Sequence, residues 1–305
     1  MNTATAEPIV VQRPRPLLAW GLLVLMALVW GSSFILIKRS LAVFPVGQVA
    51  AGRIFFAFLF FLPMMLRQIR RAEVRQTLRN RWWAFLISGT LGFLGPAYLF
   101  AEAGAHINSS LAGALNSLSP LFTLIIGALF FRQRVRWLQV MGIVLGFTGT
   151  AFLIFYSASG ALTVNGYALL VVLATVMYGI NINTIARYLS HLPALMSTTW
   201  IFAFVGPPAL GILLTTDFFS RVAASGASAS LLALLFLGVM SSGVTSIIFN
   251  RVVQLSSGIF ASSVTYLMPM VALMWGMLDH ERIGLPHYIG MAVCLFGVYL
   301  VNRKK

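Results

Sequence analysis

Six acidic residues are spread along this chain of 305. Glu7, Glu73, Asp217, Asp279 and Glu281 fall in the amino-terminal tail or in connections, and only Glu102 lies near a long apolar run. His106 follows it by one helical turn. A carboxyl group whose pKa is raised by burial can exchange protons near neutrality. An unperturbed imidazole does so near pH 6.5. Glu102, and after it His106, are therefore the candidates for proton coupling, against the plainer reading of a solvated helix end. Arg53 is the one clear charge inside an apolar run. It could bind the carboxylate of a ligand, or pair structurally with helix-end carbonyls or Glu102, and the structural role is favoured here. Four His and the single Cys294 make no metal-ligand spacing and no disulfide framework. No catalytic residue, metal or cofactor is expected, and Cys294 is read as a packing residue.

The elements that must position these groups follow from composition. The chain is 59% hydrophobic and only 9% charged, whereas soluble domains carry about 25% charged residues. A bilayer-spanning helix needs about 20 mostly apolar residues. Leu17–Ile37, Trp82–Ala101 and Ile107–Phe131 contain no Asp, Glu, Lys or Arg, and Trp137–Ala186 has none either. Ten spans are expected, at 17–37, 46–66, 82–101, 107–130, 136–156, 167–186, 194–215, 230–250, 257–278 and 286–302. The fold class is thus an all-α polytopic membrane protein. The first span is too long for the apolar region of a cleaved signal peptide and lacks its small-residue cleavage site. The longest connection is "RQIRRAEVRQTLRNR" at 67–81, and "AASGASAS" at 223–230 reads as a flexible linker.

The net charge of +15 is distributed as a topology signal rather than as a nucleic-acid surface. With the amino terminus inside, sixteen of the 21 Lys and Arg fall in cytoplasmic segments, and only Lys38, Arg39, Arg221 and Arg282 fall outside. This bias sets both termini in the cytoplasm, and the basic loops would contact anionic lipid. A multi-pass protein of a bacterial inner membrane is expected, with no nucleic-acid partner.

The segment "VWGSSFILIKRSLAVFP" (29–45) returns in outline as "MYGININTIARYLSHLP" (177–193). At an offset of 148, Trp30-Gly31 pairs with Tyr178-Gly179, Arg39 with Arg187 and Pro45 with Pro193. At 149, Gly89 pairs with Gly238, Pro120 with Pro269 and Gly127 with Gly276. At 148 again, Gln133 pairs with Glu281, Gly142 with Gly290 and Gly149 with Gly297. Two copies of a five-span unit explain the register: a tail at 1–16, one repeat at 17–156, a linker at 157–166, a second repeat at 167–302 and a basic end at 303–305. An odd number of spans per copy inverts the second copy in the membrane. Such an arrangement lets one midplane site face either side in turn.

"WGSSFILIKRSL…P…AAGRIFF", "NSSLAGALNSLSPLFTLIIGALFF" and "ASSVTYLMPMVALMWGMLDHERIG…YIGMAVCLFGVYLV" resemble the EamA-type permeases of the drug/metabolite transporter superfamily, over residues 17–303. The resemblance implies ten helices, cytoplasmic termini, a central cavity lined by helices 1, 3, 4, 6, 8 and 9, and export of amino acids or other small metabolites, often in exchange for protons. One departure is Gln133, where the family's helix 4 ends in a Glu-Arg pair; Glu281-Arg282 keeps that pattern in the second copy. On the implied cavity helices, Trp30, Ser33, Tyr98, Asn116, Tyr178, Asn181, Thr245, Thr265 and Tyr266 are the substrate-binding candidates. Each could instead join two helices by a hydrogen bond. Pro120 and Pro269 break helical hydrogen bonds in mid-span and are the gating candidates, with a static kink as the alternative. The expected function is alternating-access export of a small metabolite, an amino acid or related solute, by a monomer; protons are a second expected partner. The alternative is a flippase for a lipid or lipid-linked sugar. "GIVLG" at 142–146 and Gly290, Cys294 and Gly297 offer two small-residue faces that could pack together.

Overall fold

The computed structural model describes residues 16–133, 135–155, 165–255 and 264–303. Among them the chain is built of helices. Seven are long and apolar enough to cross a membrane. In our numbering these are α1 (Pro16–Leu41), α2 (Val46–Gln68), α3 (Ala72–Gly104), α4 (Ser109–Phe131), α6 (Ala168–Leu189), α7 (Ala194–Leu214) and α8 (Ser228–Val252). Three shorter apolar helices complete the bundle: α5 (Trp137–Phe155), α9 (Val264–Leu278) and α10 (Leu285–Asn302). Leu129, Phe130, Val144 and Leu214 are more than half exposed on the outer surface. Such a surface suits lipid rather than water.

Two expectations about connections are corrected. Most of the basic stretch at 67–81 is helical, forming the first turns of α3; Arg81 (φ −131°, ψ 18°) kinks it where the apolar run begins. The linker at 223–230 is shorter than read. A helical turn, Phe218–Val222, precedes it, Gly226 turns the chain at φ 87°, and α8 starts at Ser228. There Ser230 Oγ donates to the carbonyl of Arg39 on α1. Residues 1–15 of the tail, 157–164 of the linker, 257–263 of the ninth span and 304–305 of the basic end lie outside the described residues.

Helix packing has a regular pattern. α1 lies against α9 and α8, while α6 lies against α4 and α3. α2 contacts α8, and α7 contacts α3. α2 also packs on α7, and α5 on α10. The α5–α10 crossing is the closest, and glycines permit it. A Cβ at Gly297 would stand 2.5 Å from Gly146 N and 2.6 Å from Gly142 O, and one at Gly149 would stand 2.7 Å from Gly290 O. The small-residue faces seen in the sequence therefore meet within one chain. Cys294 is buried there beside the Ser117 hydroxyl, 3.2 Å away. Without a hydrophobic force between helices in lipid, such close packing is a main source of association. Gly297→Val should thus destabilise the bundle by roughly 1–3 kcal/mol, the usual cost of overpacking. A drop in the thermal midpoint of the detergent-solubilised protein would register it.

Candidate functional site

Among the described residues four helices depart from regular geometry near the cavity, and α6 does so in its last turn, π-helical at Ile185–Leu189. α3 contains a π-helical stretch at Thr90–Leu94 and α8 one at Leu237–Val244. α4 is interrupted at Ser117–Leu118, just before Pro120 starts its second half. Local widening of this kind frees backbone groups and is frequent at functional sites. In α8 the freed groups are taken up from the side. Trp30 Nε1 donates to the Ser241 carbonyl at 2.9 Å, and Thr245 Oγ1 donates to the Met240 carbonyl at 2.8 Å.

These irregular segments border a cavity of about 760 Å³, within the size range of sites that hold small organic molecules. Trp30, Ser33, Asn116, Pro120, Tyr178, Asn181 and Thr265 line it, and so does Arg53. The walls include two aromatic pairs: Trp30 with Phe249 at 5.3 Å between ring centres, and Phe100 stacked on Tyr178 at 6.1 Å. Ser33 and Ser241 share a hydroxyl hydrogen bond of 2.7 Å. Arg53 Nε donates to Ser242 Oγ at 2.6 Å, and Nη2 reaches Ser241 Oγ at 3.3 Å. The expected partners of Arg53, helix-end carbonyls or Glu102, are therefore replaced by the two serines of the α8 π stretch. The amide oxygens of Asn116 and Asn181 are buried without a hydrogen bond among the described residues.

Other candidates stand elsewhere. Tyr98 is 51% exposed and lies off the cavity. The π stretch before it contributes an extra residue, which turns the later residues of the helix by about 100°. Thr245 is buried and serves the α8 backbone rather than the cavity. Glu102 and His106 sit at the end of α3, away from the cavity, 3.9 Å apart. The His106 imidazole meets the Glu102 carbonyl and stacks on Tyr167. Pro269 is inside α9 and does not line the cavity. The side chain of Tyr266 lies outside the described residues. Arg53 was legible as a lone intramembrane charge. Its serine partners were not, because a serine in an apolar run is common and only the π turn points these two inward.

The cavity ends differ. At one end its lining runs out to exposed Gln133, Arg136 and Arg303. At the other, Phe34, Ile37 and Phe100 also line a residual void of only about 10 Å³ that reaches Lys38 and Ser109. That end is shut by charge. Glu281, with a side chain 1% exposed, accepts hydrogen bonds from the backbone N–H and hydroxyl of both Ser109 and Ser110, at 2.7–3.2 Å. It thereby satisfies donors at the start of α4, where the helix dipole favours an anion. Lys38 Nζ bridges Glu281 at 3.2 Å and Asp279 at 2.6 Å, and Arg39 also pairs with Asp279. His280, at φ 54°, ends α9 in the left-handed conformation that aims this carboxylate, and Arg132, at φ 55°, ends α4 alike.

A family description fits this geometry at two places in the chain: the EamA-like transporter family model matches residues 17–155 and again 165–303. The chain belongs to that family. Relatives of this EamA-like chain include an uncharacterised transporter of Archaeoglobus fulgidus, 25% identical over 94% of this chain and 99% of the relative. A probable terminal-alkyne amino-acid exporter of Streptantibioticus cattleyicolor is 22% identical over 93% of each. The uncharacterised inner membrane transporter YedA of Escherichia coli is 24% identical over 94% and 91%. A crystal structure superposes with a TM-score of 0.62 at 18% identity, covering 92% of this chain and 95% of that one.

The latch gives this EamA-like bundle a pH signature. Burial pushes the Glu281 carboxyl up, but the hydrogen bonds from Ser110 and Ser109 outweigh it and leave the group below its ordinary 4.5. The hydrogen bond from Lys38, against some burial, holds Asp279 below its ordinary 3.8. Folded values lower than unfolded ones mean that this stabilisation is complete above those ordinary values and is lost as pH falls through the lower, folded ones. The thermal midpoint in detergent should therefore fall as the pH drops below 4.5. Glu281→Gln should be less stable at neutral pH and show a shallower acid limb.

Proposed function

We propose that this protein is an alternating-access carrier that exports a small metabolite, an amino acid or related solute, across the bacterial inner membrane. In this reading ten helices cross the bilayer as two five-helix repeats of opposite orientation, with both termini in the cytoplasm. The packing pattern supports the repeat. Shifting every helix by five turns α1–α9 into α6–α4, α2–α8 into α7–α3, and leaves α2–α7 and α5–α10 as self-matched pairs. Details keep the same register. A Cβ on Gly89 would meet the Ile201 carbonyl, and one on Gly238 would meet that of its counterpart Arg53. The aromatic pairs Trp30–Phe249 and Tyr178–Phe100 are counterparts too.

The observation that carries the proposal is the cavity open at one end and latched at the other. With the cationic bias of the loops placed inside, the open end faces the cytoplasm and the Lys38–Glu281 latch faces out. That is the loading state of an exporter. The counterparts of Lys38 and Glu281 are Ala186 and Gln133, so the inner end has no equivalent ion pair. Gln133 instead donates to Asn183 at 3.1 Å. Two ends with unequal latches make the inward-open form the resting one, and a bound solute must supply the bias that opens the other side.

Proteoliposome flux of an amino-acid panel, with and without a pH gradient, tests the function; absence of any carrier-mediated flux across the panel would count against it. Glu102→Gln should leave any pH dependence of flux unchanged, because Glu102 does not line the cavity. The latch has its own test. In a Cys294→Ser background, Phe34→Cys should resist a membrane-impermeant thiol reagent applied from outside, and adding Glu281→Gln should make it react several-fold faster. Equal rates would show that the latch does not hold the outer end.

A further inference from the structure

The charged groups lining the cavity are Arg53, Arg136 and Arg303, and among the described residues no Asp or Glu lines it. Arg136 and Arg303 stand at the open mouth, where both are exposed. Arg53 stands inside, on the second turn of α2, with its accessible surface turned to the cavity. Its partners are neutral hydroxyls, Ser241 and Ser242, and among the described residues no carboxylate comes within ion-pair distance. A guanidinium has five N–H donors in a planar fork suited to a carboxylate. The serines take up only Nε and part of Nη2, which leaves the other edge of that fork for a ligand. A charge at this depth is costly unless something compensates it, and the described residues supply no counter-ion.

Two further groups point the same way. The amide oxygens of Asn116 and Asn181 are buried acceptors in the same cavity, with no donor among the described residues. The aromatic pairs Trp30–Phe249 and Phe100–Tyr178 line the same cavity and offer apolar faces and no charge. The repeat counterpart of Arg53 is Ile201, so the cation is present on one wall only and no second anchor competes with it.

We infer that the cavity selects carboxylates and rejects amines: Arg53 anchors the carboxylate, the Asn116 and Asn181 amide oxygens accept from an N–H or O–H of the same solute, and Arg136 and Arg303 draw anions to the mouth. A free cation meets three like charges and no acid there. This deepens the carrier reading and rests on it, but it can be tested by binding alone. Full-length protein in detergent would be titrated with aromatic and aliphatic probes in matched sets, for example 3-phenylpropanoate, phenylalanine, phenylalaninamide and phenethylamine, with binding heat measured by isothermal titration calorimetry as the readout. Carboxylates should bind at least tenfold more tightly than their amine partners.

Arg53→Gln should weaken the carboxylates by about tenfold to a hundredfold, the value of a charge-assisted hydrogen bond or pair, and leave the amides unchanged; Arg53→Lys should recover part of the loss. If Arg53→Gln fails to fold, Ser242→Ala, which frees the guanidinium edge without removing the charge, should keep the carboxylate preference. The wild-type ranking decides independently of either variant. A panel in which no carboxylate binds more tightly than its amine partner overturns the inference. Selective binding without flux would instead count against the carrier reading alone.

Discussion

A polar group inside this bundle has no water to turn to, and the rest of the structure depends on that constraint. Backbone carbonyls and N–H groups in the hydrocarbon layer must be satisfied within protein or beside a cavity. Accordingly the π stretches of α3 and α8 and the break in α4 all border the same hollow. Trp30 and Thr245 close the carbonyls that the α8 stretch releases. The exceptions then carry information: among the described residues Arg53 has serines as its hydrogen-bond partners and two asparagine oxygens have no donor, which is tolerable where a solute or water can reach them.

The same constraint accounts for the latch. Glu281 is almost fully enclosed, yet it receives four hydrogen bonds and an ammonium partner, and it lies at a helix amino terminus. Removing one partner of such a group leaves the others unsatisfied, which is strongly destabilising. At the opposite end a neutral Gln133–Asn183 contact replaces it. One end of the cavity is thus held by an ion pair and buried hydrogen bonds, and the other by a neutral contact.

Hydropathy and internal register were enough to place most helices to within a few residues, since an apolar run of spanning length has few alternatives in lipid. The glycines of α5 and α10 were legible for the same reason: spacing puts them on one face, and only small residues allow the approach seen at Gly142 and Gly297. The basic stretch at 67–81 misled because its charges read as a connection, whereas they extend α3 as a helix until Arg81 kinks it. Tyr98 misled because a strict 3.6-residue count does not register the extra residue of a π turn. Thr245 misled because a hydroxyl can serve its own helix as readily as a cavity.

The sequence by itself determined the apolar segments, the two stretches that match one family model and the scarcity of acids, because these are properties of residue type and position along one dimension. Tertiary structure decided which way each side chain faces, that Arg53 meets serines rather than Glu102, and that Lys38, Asp279, Glu281 and the start of α4 converge. Those contacts join residues up to 243 positions apart. They depend on the rotation of each helix about its axis, which its neighbours fix and no local pattern encodes.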